Sequence, residues 1–345
     1  MMTRRARLSV SLAILGIIAT GWNLLLFAAE NRNRGVADIV ARARLFSELG
    51  PGLHALKRDS GGRYYVLAAP ATTISVYGTE GNRVGQIPAA NSQSAKIVFA
   101  DDIDIDATGR LLVADRGANA VKIFKADGSL DTAIPLNAPT SVAALSDGEF
   151  AITSLRAERL VSIYNDQGKM IRSFGDPHDV PAGASSSRYI NHGRLSSDPL
   201  GFIYFAFTYL PEATIRKYDR FGYSAYEISL PHSDEQSTSS SQTTGVDILA
   251  LARRNQNAAE KPVINACGVD PVSQEVWAAI GDEISRFDKD GLLVGSYRTA
   301  TANGTRLEPS AILIEPERIL LAADPLGVYE FARPDKQRPA PGRKR

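Results

Sequence analysis

One short pattern recurs along most of this 345-residue chain and restricts how the chain can fold. Its clearest copy, IDIDATGRLLVADRGANAVKIFKADGSL, occupies residues 103–130. In this stretch β-rich runs alternate with an Asp-x-x-Gly turn and an Asp-Gly dipeptide. Turn dipeptides of this kind between apolar runs favour tight hairpins. Each unit is therefore predicted to be a small antiparallel sheet.

Five further stretches keep the same order of strands and turns, and self-similarity at such a period is typical of repeat folds. They lie at residues 56–87, 141–175, 195–230, 267–297 and 311–331. Small four-stranded sheets that close into a ring bury both faces against their neighbours and leave few exposed edges. The sequence therefore predicts an all-β, six-bladed β-propeller.

The sixth unit ends before a fourth strand, so a closed ring needs a strand from elsewhere in the chain. The segment ARARLFSEL, Ala41 to Leu49, precedes the first unit and is the candidate to pair with the blade that ends at Phe331. A short amphipathic helix is the alternative structure for the same segment.

The pattern in residues 103–128 resembles the NHL repeat family, with nearly every family position filled. Later units keep the turns and the strand order more than the Ala-Asp pair. The resemblance covers roughly Leu53 to Phe331 and implies a six-bladed propeller. It does not imply one activity, because this family includes both interaction scaffolds and enzymes.

The amino terminus carries a long uncharged segment, Leu8 to Ala29. About 20 apolar residues are enough to cross a membrane as a helix. Arg4, Arg5 and Arg7 precede the segment, so the positive-inside rule places the large domain outside the cytoplasm. We expect an uncleaved signal anchor, with a single pass and a periplasmic domain if the source is bacterial. A cleaved signal peptide is the alternative.

These patterns divide the chain into consecutive parts. We predict a basic cytoplasmic leader at 1–7, a transmembrane signal anchor at 8–29, a linker with the possible ring-closing strand at 30–50, the propeller at 51–332 and a disordered basic tail at 333–345. A Ser/Thr-rich insertion at 231–262 interrupts the propeller, either as a functional loop or as a tolerated surface excursion.

Charge and cysteine content exclude some classes of function. Lys and Arg number 39 against 38 Asp and Glu, a net charge of +1, so no nucleic-acid partner is predicted. Cys267 is the one cysteine and lies in an apolar run, which predicts a core residue rather than a disulfide or a catalytic thiol.

In a propeller, polar residues just before the Asp-x-x-Gly turns converge on the central channel. Among the aligned positions, Asp102 and Arg194 carry opposite charges and are expected to form an ion pair across the channel. The alternative is a mixed polar pocket for a small ligand. The predicted ligand-binding residues at the channel mouth are Asp101, Asp102, Ser141, Asn191, His192, Arg194 and Asn265.

The sequence favours a binding or scaffold module for a protein partner of the cell envelope or for a small ligand. No cofactor is predicted; if a metal is bound, Ca²⁺ on Asp102, Asn191 and Asn265 is expected, since hard cations take oxygen ligands. The alternative function is a metal-dependent lactonase or lyase on the same ring. The tyrosine- and arginine-rich stretch from Tyr209 to Tyr223 is either a protein-binding surface or ordinary strand packing.

Overall fold

The computed structural model describes residues 35–46, 48–89, 95–178, 190–209, 213–230 and 263–336. The predicted span at 8–29, the insertion at 231–262 and residues 337–345 of the predicted tail lie outside these residues. The first residues of that predicted tail are described: Arg333 is buried, and Pro334–Lys336 form a 3₁₀ turn. Within the described part, no helix has the length and apolar character needed to cross a membrane.

The described residues form strands, with short 3₁₀ turns at Arg116–Ala118, Ser146–Gly148 and Pro334–Lys336. The strands, in chain order, are β1 (Ala37–Val40), β2 (Ala43–Leu45), β3 (Leu53–Arg58), β4 (Tyr64–Ala68), β5 (Ile74–Tyr77), β6 (Arg83–Ile87), β7 (Ala100–Ile105), β8 (Leu111–Asp115), β9 (Ala120–Phe124), β10 (Leu130–Pro135), β11 (Pro139–Ala144), β12 (Phe150–Ser154), β13 (Val161–Tyr164), β14 (Met170–Phe174), β15 (Gly193–Ser197), β16 (Ile203–Phe207), β17 (Thr214–Tyr218), β18 (Ser224–Ser229), β19 (Ala266–Val269), β20 (Val276–Ile280), β21 (Glu283–Phe287), β22 (Leu293–Ala300), β23 (Pro309–Ile314), β24 (Arg318–Ala323) and β25 (Gly327–Ala332).

These strands form six sheets, each built on an antiparallel blade, as the repeat predicts. Blades 1 to 4 are β3–β6, β7–β10, β11–β14 and β15–β18; blade 5 is β19–β22, and blade 6 is β23–β25 together with β2. The first strand of each blade is innermost, and each contacts the first strand of the next blade around the full circle, from β3 through β7, β11, β15, β19 and β23 back to β3. The fold is therefore a closed six-bladed propeller.

The ring closes through β2, which lies within the segment predicted for this role. Ala43 pairs with Glu330 and Leu45 with Val328, so β2 is the outer strand of the blade that ends near Phe331. The strand β1 was not predicted. It adds in parallel to β22, pairing Ala37 with Tyr297, and makes blade 5 five-stranded. The segment before blade 1 therefore joins two blades at once.

Alternation along each strand covers both faces of every sheet. In β8, Leu111 and Val113 pack against blade 1, whereas Leu112 and Ala114 pack against blade 3. Six buried apolar clusters result, one between each pair of adjacent blades. When neighbouring blades cover both faces of a sheet, its strands are expected to carry apolar side chains on both faces.

The aspartates of the Asp-x-x-Gly turns fix the lower end of the ring, which we define as the end where each first strand turns into the second. Asp106 accepts backbone hydrogen bonds from Thr108 and Arg110, both at 2.9 Å, and Gly109 adopts a φ of +83°. Only glycine adopts that conformation at little cost. Burial would raise the pKa of Asp106, but the hydrogen bonds from Thr108 and Arg110 lower it.

A buried arginine ties blade 6 to blade 5. The Arg333 guanidinium follows β25, is 4% exposed and lies 2.6 Å from a carboxylate oxygen of Asp270 and 3.0 Å from one of Asp335. Charges at such depth are stable only when paired and hydrogen-bonded. This contact therefore holds blade 6, which closes the ring, against blade 5, the blade to which β1 adds a strand.

We predict that Phe46→Ala weakens the closure. Phe46 follows β2, is 4% exposed, and its ring centroid lies 5.3 Å from that of Tyr64 and 4.5 Å from that of Tyr77. Removing a buried aromatic ring costs about 3–5 kcal/mol of unfolding free energy, measured by denaturant titration. Val84→Ala, at a side chain that is 55% exposed, should change stability by less than about 0.5 kcal/mol. Equal effects of the two changes would contradict this account of the closure.

Candidate functional site

A cavity of about 430 Å³ occupies the central channel. It extends from Arg194 to the lower end, where Ser146, Pro199 and Pro271 line its rim. This cavity opens at the end opposite to the predicted mouth, which lies at the upper end where the first strands begin. Of the seven predicted ligand-binding residues, Asp102 and Arg194 line it.

One wall of the cavity is polar and belongs to blades 1 to 4. The ammonium of Lys57 lies 3.0 Å from a carboxylate oxygen of Asp104 on the next blade. The other oxygen of Asp104 accepts a 2.8 Å hydrogen bond from the backbone N–H of Ala144, whose carbonyl accepts one of 2.6 Å from the Ser197 hydroxyl. Side chains thus link four consecutive first strands. Burial would lower the pKa of Lys57, but Asp104 and Asp102 outweigh it and raise that pKa.

A second chain of polar contacts crosses blades 2 to 4 nearer the upper end. The backbone N–H of Leu195 donates to the Ser141 hydroxyl at 2.9 Å, and that hydroxyl donates to a carboxylate oxygen of Asp102. Ser141 therefore holds Asp102 in a fixed position rather than facing the cavity. Burial raises the pKa of Asp102, and the charges of Lys57 and Arg194 offset part of that effect.

Arg194 crosses the channel from blade 4 to blades 1 and 6. Its Nη1 donates to the carbonyl of His54 at 2.7 Å and to that of Ser310 at 3.5 Å. Both acceptors occupy β-bulges of their first strands, between Leu53 and Ala55 and between Pro309 and Ala311. A bulged residue has no partner across the ladder, so its carbonyl can accept another donor.

The predicted ion pair between Asp102 and Arg194 is wrong. Among the described residues, no carboxylate oxygen lies within 4.0 Å of the Arg194 guanidinium. The long side chain reaches past Asp102 to the opposite carbonyls, while Ser141 and the backbone N–H of Ile103, at 2.9 Å, satisfy Asp102. The two charges still influence each other, since Arg194 lowers the pKa of Asp102.

The opposite wall, from blades 5 and 6, is apolar. Val269 and Leu313 line it together with the thiol of Cys267. The first strands approach closely here, because a Cβ on Gly268 would lie 2.8 Å from the carbonyl oxygen of Ile312. Cys267 was predicted to be a core residue, but it is half-buried and borders the cavity. Burial raises the pKa of its thiol to about 12.

Four predicted residues lie at the upper end, away from the cavity. Asp101 pairs with Arg116, with 2.5 Å between the carboxylate and Nε. Asn191 and Asn265 use their side-chain amide oxygens locally, accepting hydrogen bonds of 2.7 Å from the backbone of His178 and 3.0 Å from that of Gly281.

His192 is the fourth of these upper-end residues. Its Nδ1 is buried and has no hydrogen-bond partner among the described residues. Burial, with the charges of Arg194 and Arg116, lowers the pKa of His192 to about 4. The imidazole is therefore neutral at physiological pH.

The three residues named as possible calcium ligands make contacts with the protein itself. The amide oxygens of Asn191 and Asn265 are engaged as above, and Asp102 is held by Ser141. The part of the chain that the structure describes also contains no group of three or more His, Cys, Asp or Glu residues that could hold a metal ion.

The sequence contained a signal for two residues that were missed, Lys57 and Asp104. In β7, Asp102 and Asp104 alternate with isoleucines, so a period of two residues places both carboxylates on one face. Lys57 is the next-to-last residue of β3, the first strand of the preceding blade. If the alignment of channel positions is extended by two residues along each first strand, it includes both Lys57 and Asp104.

Part of the Tyr209–Tyr223 stretch packs between strands, and part of it is exposed at the surface; these are the two predicted alternatives. Lys217 is buried, and its ammonium lies 4.3 Å from the ring centroid of Phe202, which is ordinary packing between strands. By contrast Phe221 and Tyr223 are 62% and 74% exposed in the turn at the lower end of blade 4.

Solved structures share this fold. A streptogramin B lyase aligns with a TM-score of 0.51 at 15% identity, covering 84% of this chain and 86% of that one. U3-55K aligns with a TM-score of 0.55 at 10% identity over 87% and 100% of the two chains, and the RRP9 WD40 repeats with 0.54 at 10% over 86% and 99%. Such identities establish the propeller fold and no activity.

No protein-family model matches the chain, and no curated protein is significantly similar to it. The NHL resemblance therefore has no support from a family model.

We predict that Cys267 reacts slowly with iodoacetamide, because the thiolate is the nucleophile and a pKa of about 12 keeps it scarce. At pH 8 the rate should be at least about 100-fold below that of free cysteine, whose pKa is about 8.5. The rate should keep rising with pH above 10, whereas the chain in denaturant should level off near pH 9. A plateau near pH 9 in the folded chain would contradict the raised pKa of this thiol.

Proposed function

We propose that this chain is a membrane-tethered, extracytoplasmic propeller of the NHL type that binds a small ligand in the lower half of its channel. The observation that supports the proposal is the cavity of about 430 Å³ between Arg194 and the lower rim. Binding sites for small molecules typically measure about 300–1,000 Å³ and combine apolar walls with a few fixed polar groups.

The two walls of the cavity supply those features. Lys57, Asp104 and Arg194 are fixed by contacts to other blades, so they are oriented before a ligand arrives. Val269 and Leu313 give the apolar surface opposite them. A ligand with one polar edge and one apolar body matches this division. Preorganised polar groups lower the entropic cost of binding.

A protein partner is the second candidate, favoured by exposed side chains at the same lower end. Leu200, Phe221 and Tyr223 are 63%, 62% and 74% exposed, and they lie in turns of blade 4. Aromatic residues are enriched in protein interfaces. A partner docked there would also cover the rim of the cavity.

We predict that Leu313→Trp blocks ligand binding without unfolding the ring. Leu313 is half-buried on the apolar wall, so the larger indole has the cavity to occupy. A panel of small organic acids, sugars and amino acids is screened against the full chain by thermal denaturation. We expect one class to raise Tm by a few degrees, since saturation at 100 times Kd contributes about 2.7 kcal/mol.

The shift should disappear in Leu313→Trp and persist in Leu292→Trp, whose side chain is 56% exposed. A shift that survives in both variants would place the ligand outside the channel. No shift from any compound with the wild-type chain would overturn the small-ligand proposal.

The membrane tether is proposed from residues 8–29 and tested separately. Seven residues, 30–36, separate that segment from β1, and an extended linker of this length spans at most about 25 Å. In a bacterial host, the full chain should stay in the pellet after alkaline carbonate extraction and be digested by protease added to spheroplasts. A Leu15→Arg, Ile18→Arg double variant should lose the membrane fraction, because each central charge costs about 2.5–3.5 kcal/mol. Release of the wild-type chain by carbonate would overturn the tether.

A further inference from the structure

Arg194 lines the cavity, and one edge of its guanidinium has no hydrogen-bond partner among the described residues. Nη1 makes both of its hydrogen bonds, to the carbonyls of His54 and Ser310. Among the described residues, neither Nε nor Nη2 has an acceptor, and neither is counted among the buried atoms that lack a partner. These two nitrogens therefore remain accessible, and they form the edge with which arginine binds a carboxylate through two parallel hydrogen bonds.

None of the carboxylates that line the cavity, Asp102, Asp104 and Asp198, forms an ion pair with Arg194. Lys57 and Asp104 neutralise each other at 3.0 Å. One oxygen of Asp102 accepts the Ser141 hydroxyl and the other accepts the backbone N–H of Ile103. Asp198 is occupied by its own turn and by the Tyr204 hydroxyl at 3.0 Å. The positive charge of Arg194 is thus available to a ligand.

The lining of the cavity indicates which kind of molecule carries the anionic group. Arg194 lies at its inner end, while Val269 and Leu313 line the wall towards the lower rim. A bare inorganic anion would fill the space at the guanidinium and leave that apolar wall in contact with water. An organic anion would bury it, and burial of apolar surface contributes about 25 cal/mol per Å².

We propose that the channel binds a small organic carboxylate, with the carboxylate on the Nε–Nη2 edge of Arg194 and the apolar body against Val269 and Leu313. This inference rests on the proposed function, because it names the ligand class for the same cavity. Arg194 acts here as an anchor that is preset by the bulge carbonyls of His54 and Ser310.

The test compares phenylacetate with phenylacetamide, which has nearly the same shape and no charge. Both are radiolabelled and measured by equilibrium dialysis against the full chain in nanodiscs, with empty nanodiscs subtracted. We expect phenylacetate to bind at least about tenfold more tightly, since a hydrogen bond to a charged group is worth about a factor of 10 to 100. Arg194→Met should remove that preference, and Arg194→Lys should restore part of it because the charge returns.

The control variant is Arg83→Met, at an exposed arginine on β6, which should leave phenylacetate binding unchanged. Thermal denaturation of each variant shows whether the ring is intact. If Arg194→Met does not fold, the comparison of phenylacetate with phenylacetamide on the wild-type chain still decides the inference.

Three results would overturn the inference while the small-ligand proposal stands. They are equal affinity for phenylacetate and phenylacetamide, unchanged preference in Arg194→Met, and displacement of phenylacetate by inorganic phosphate at equal concentration. Binding of phenylacetate by Leu313→Trp as tightly as by the wild-type chain would place the carboxylate elsewhere. If neither probe binds and no compound of the panel shifts Tm, both proposals fail together.

Discussion

Every blade of this propeller has two apolar faces, and each face is buried only if a neighbour covers it. The six clusters between adjacent blades show that all of these faces are covered. That condition depends on closure, because an open ring would expose one face of blade 6 and one of blade 1. Three residues of β2 supply the missing outer strand, while Phe46 and Arg333 fix the two sides of the closing blade.

Closure also determines what lies in the channel. The first strands of blades 5 and 6 approach until Gly268 nearly touches the backbone of Ile312, which leaves no room for long polar side chains between them. Blades 1 to 4 are instead joined by polar side chains that cross from one first strand to the next, such as Lys57 to Asp104. The channel is consequently polar on one side and apolar on the other, although the blades share one fold.

The fold could be predicted because the repeat signals are local: an Asp-x-x-Gly turn and apolar alternation need no knowledge of distant residues. The closing segment was predictable for the same reason, since one unit lacked a strand. The strand β1 was not, because ADIV is too short to show a period and pairs only with a distant edge. Asp102 and Arg194 were identified as channel residues, but their contacts depend on how far an arginine reaches across the ring.

Departures from the repeat coincide with the chemistry of the channel. Blades 1, 2, 3 and 6 carry a bulge near the start of the first strand, whereas β15 and β19 pair without one. The regular register of β15 sets Arg194 directly opposite Ala206, and the bulges of blades 1 and 6 provide the two carbonyls that receive its guanidinium. If β15 carried the bulge, or if β3 and β23 lacked theirs, Arg194 would not have these two carbonyl partners. The repeat therefore builds the ring, and the differences in register between β15 and the bulged strands β3 and β23 position the Arg194 guanidinium across the channel.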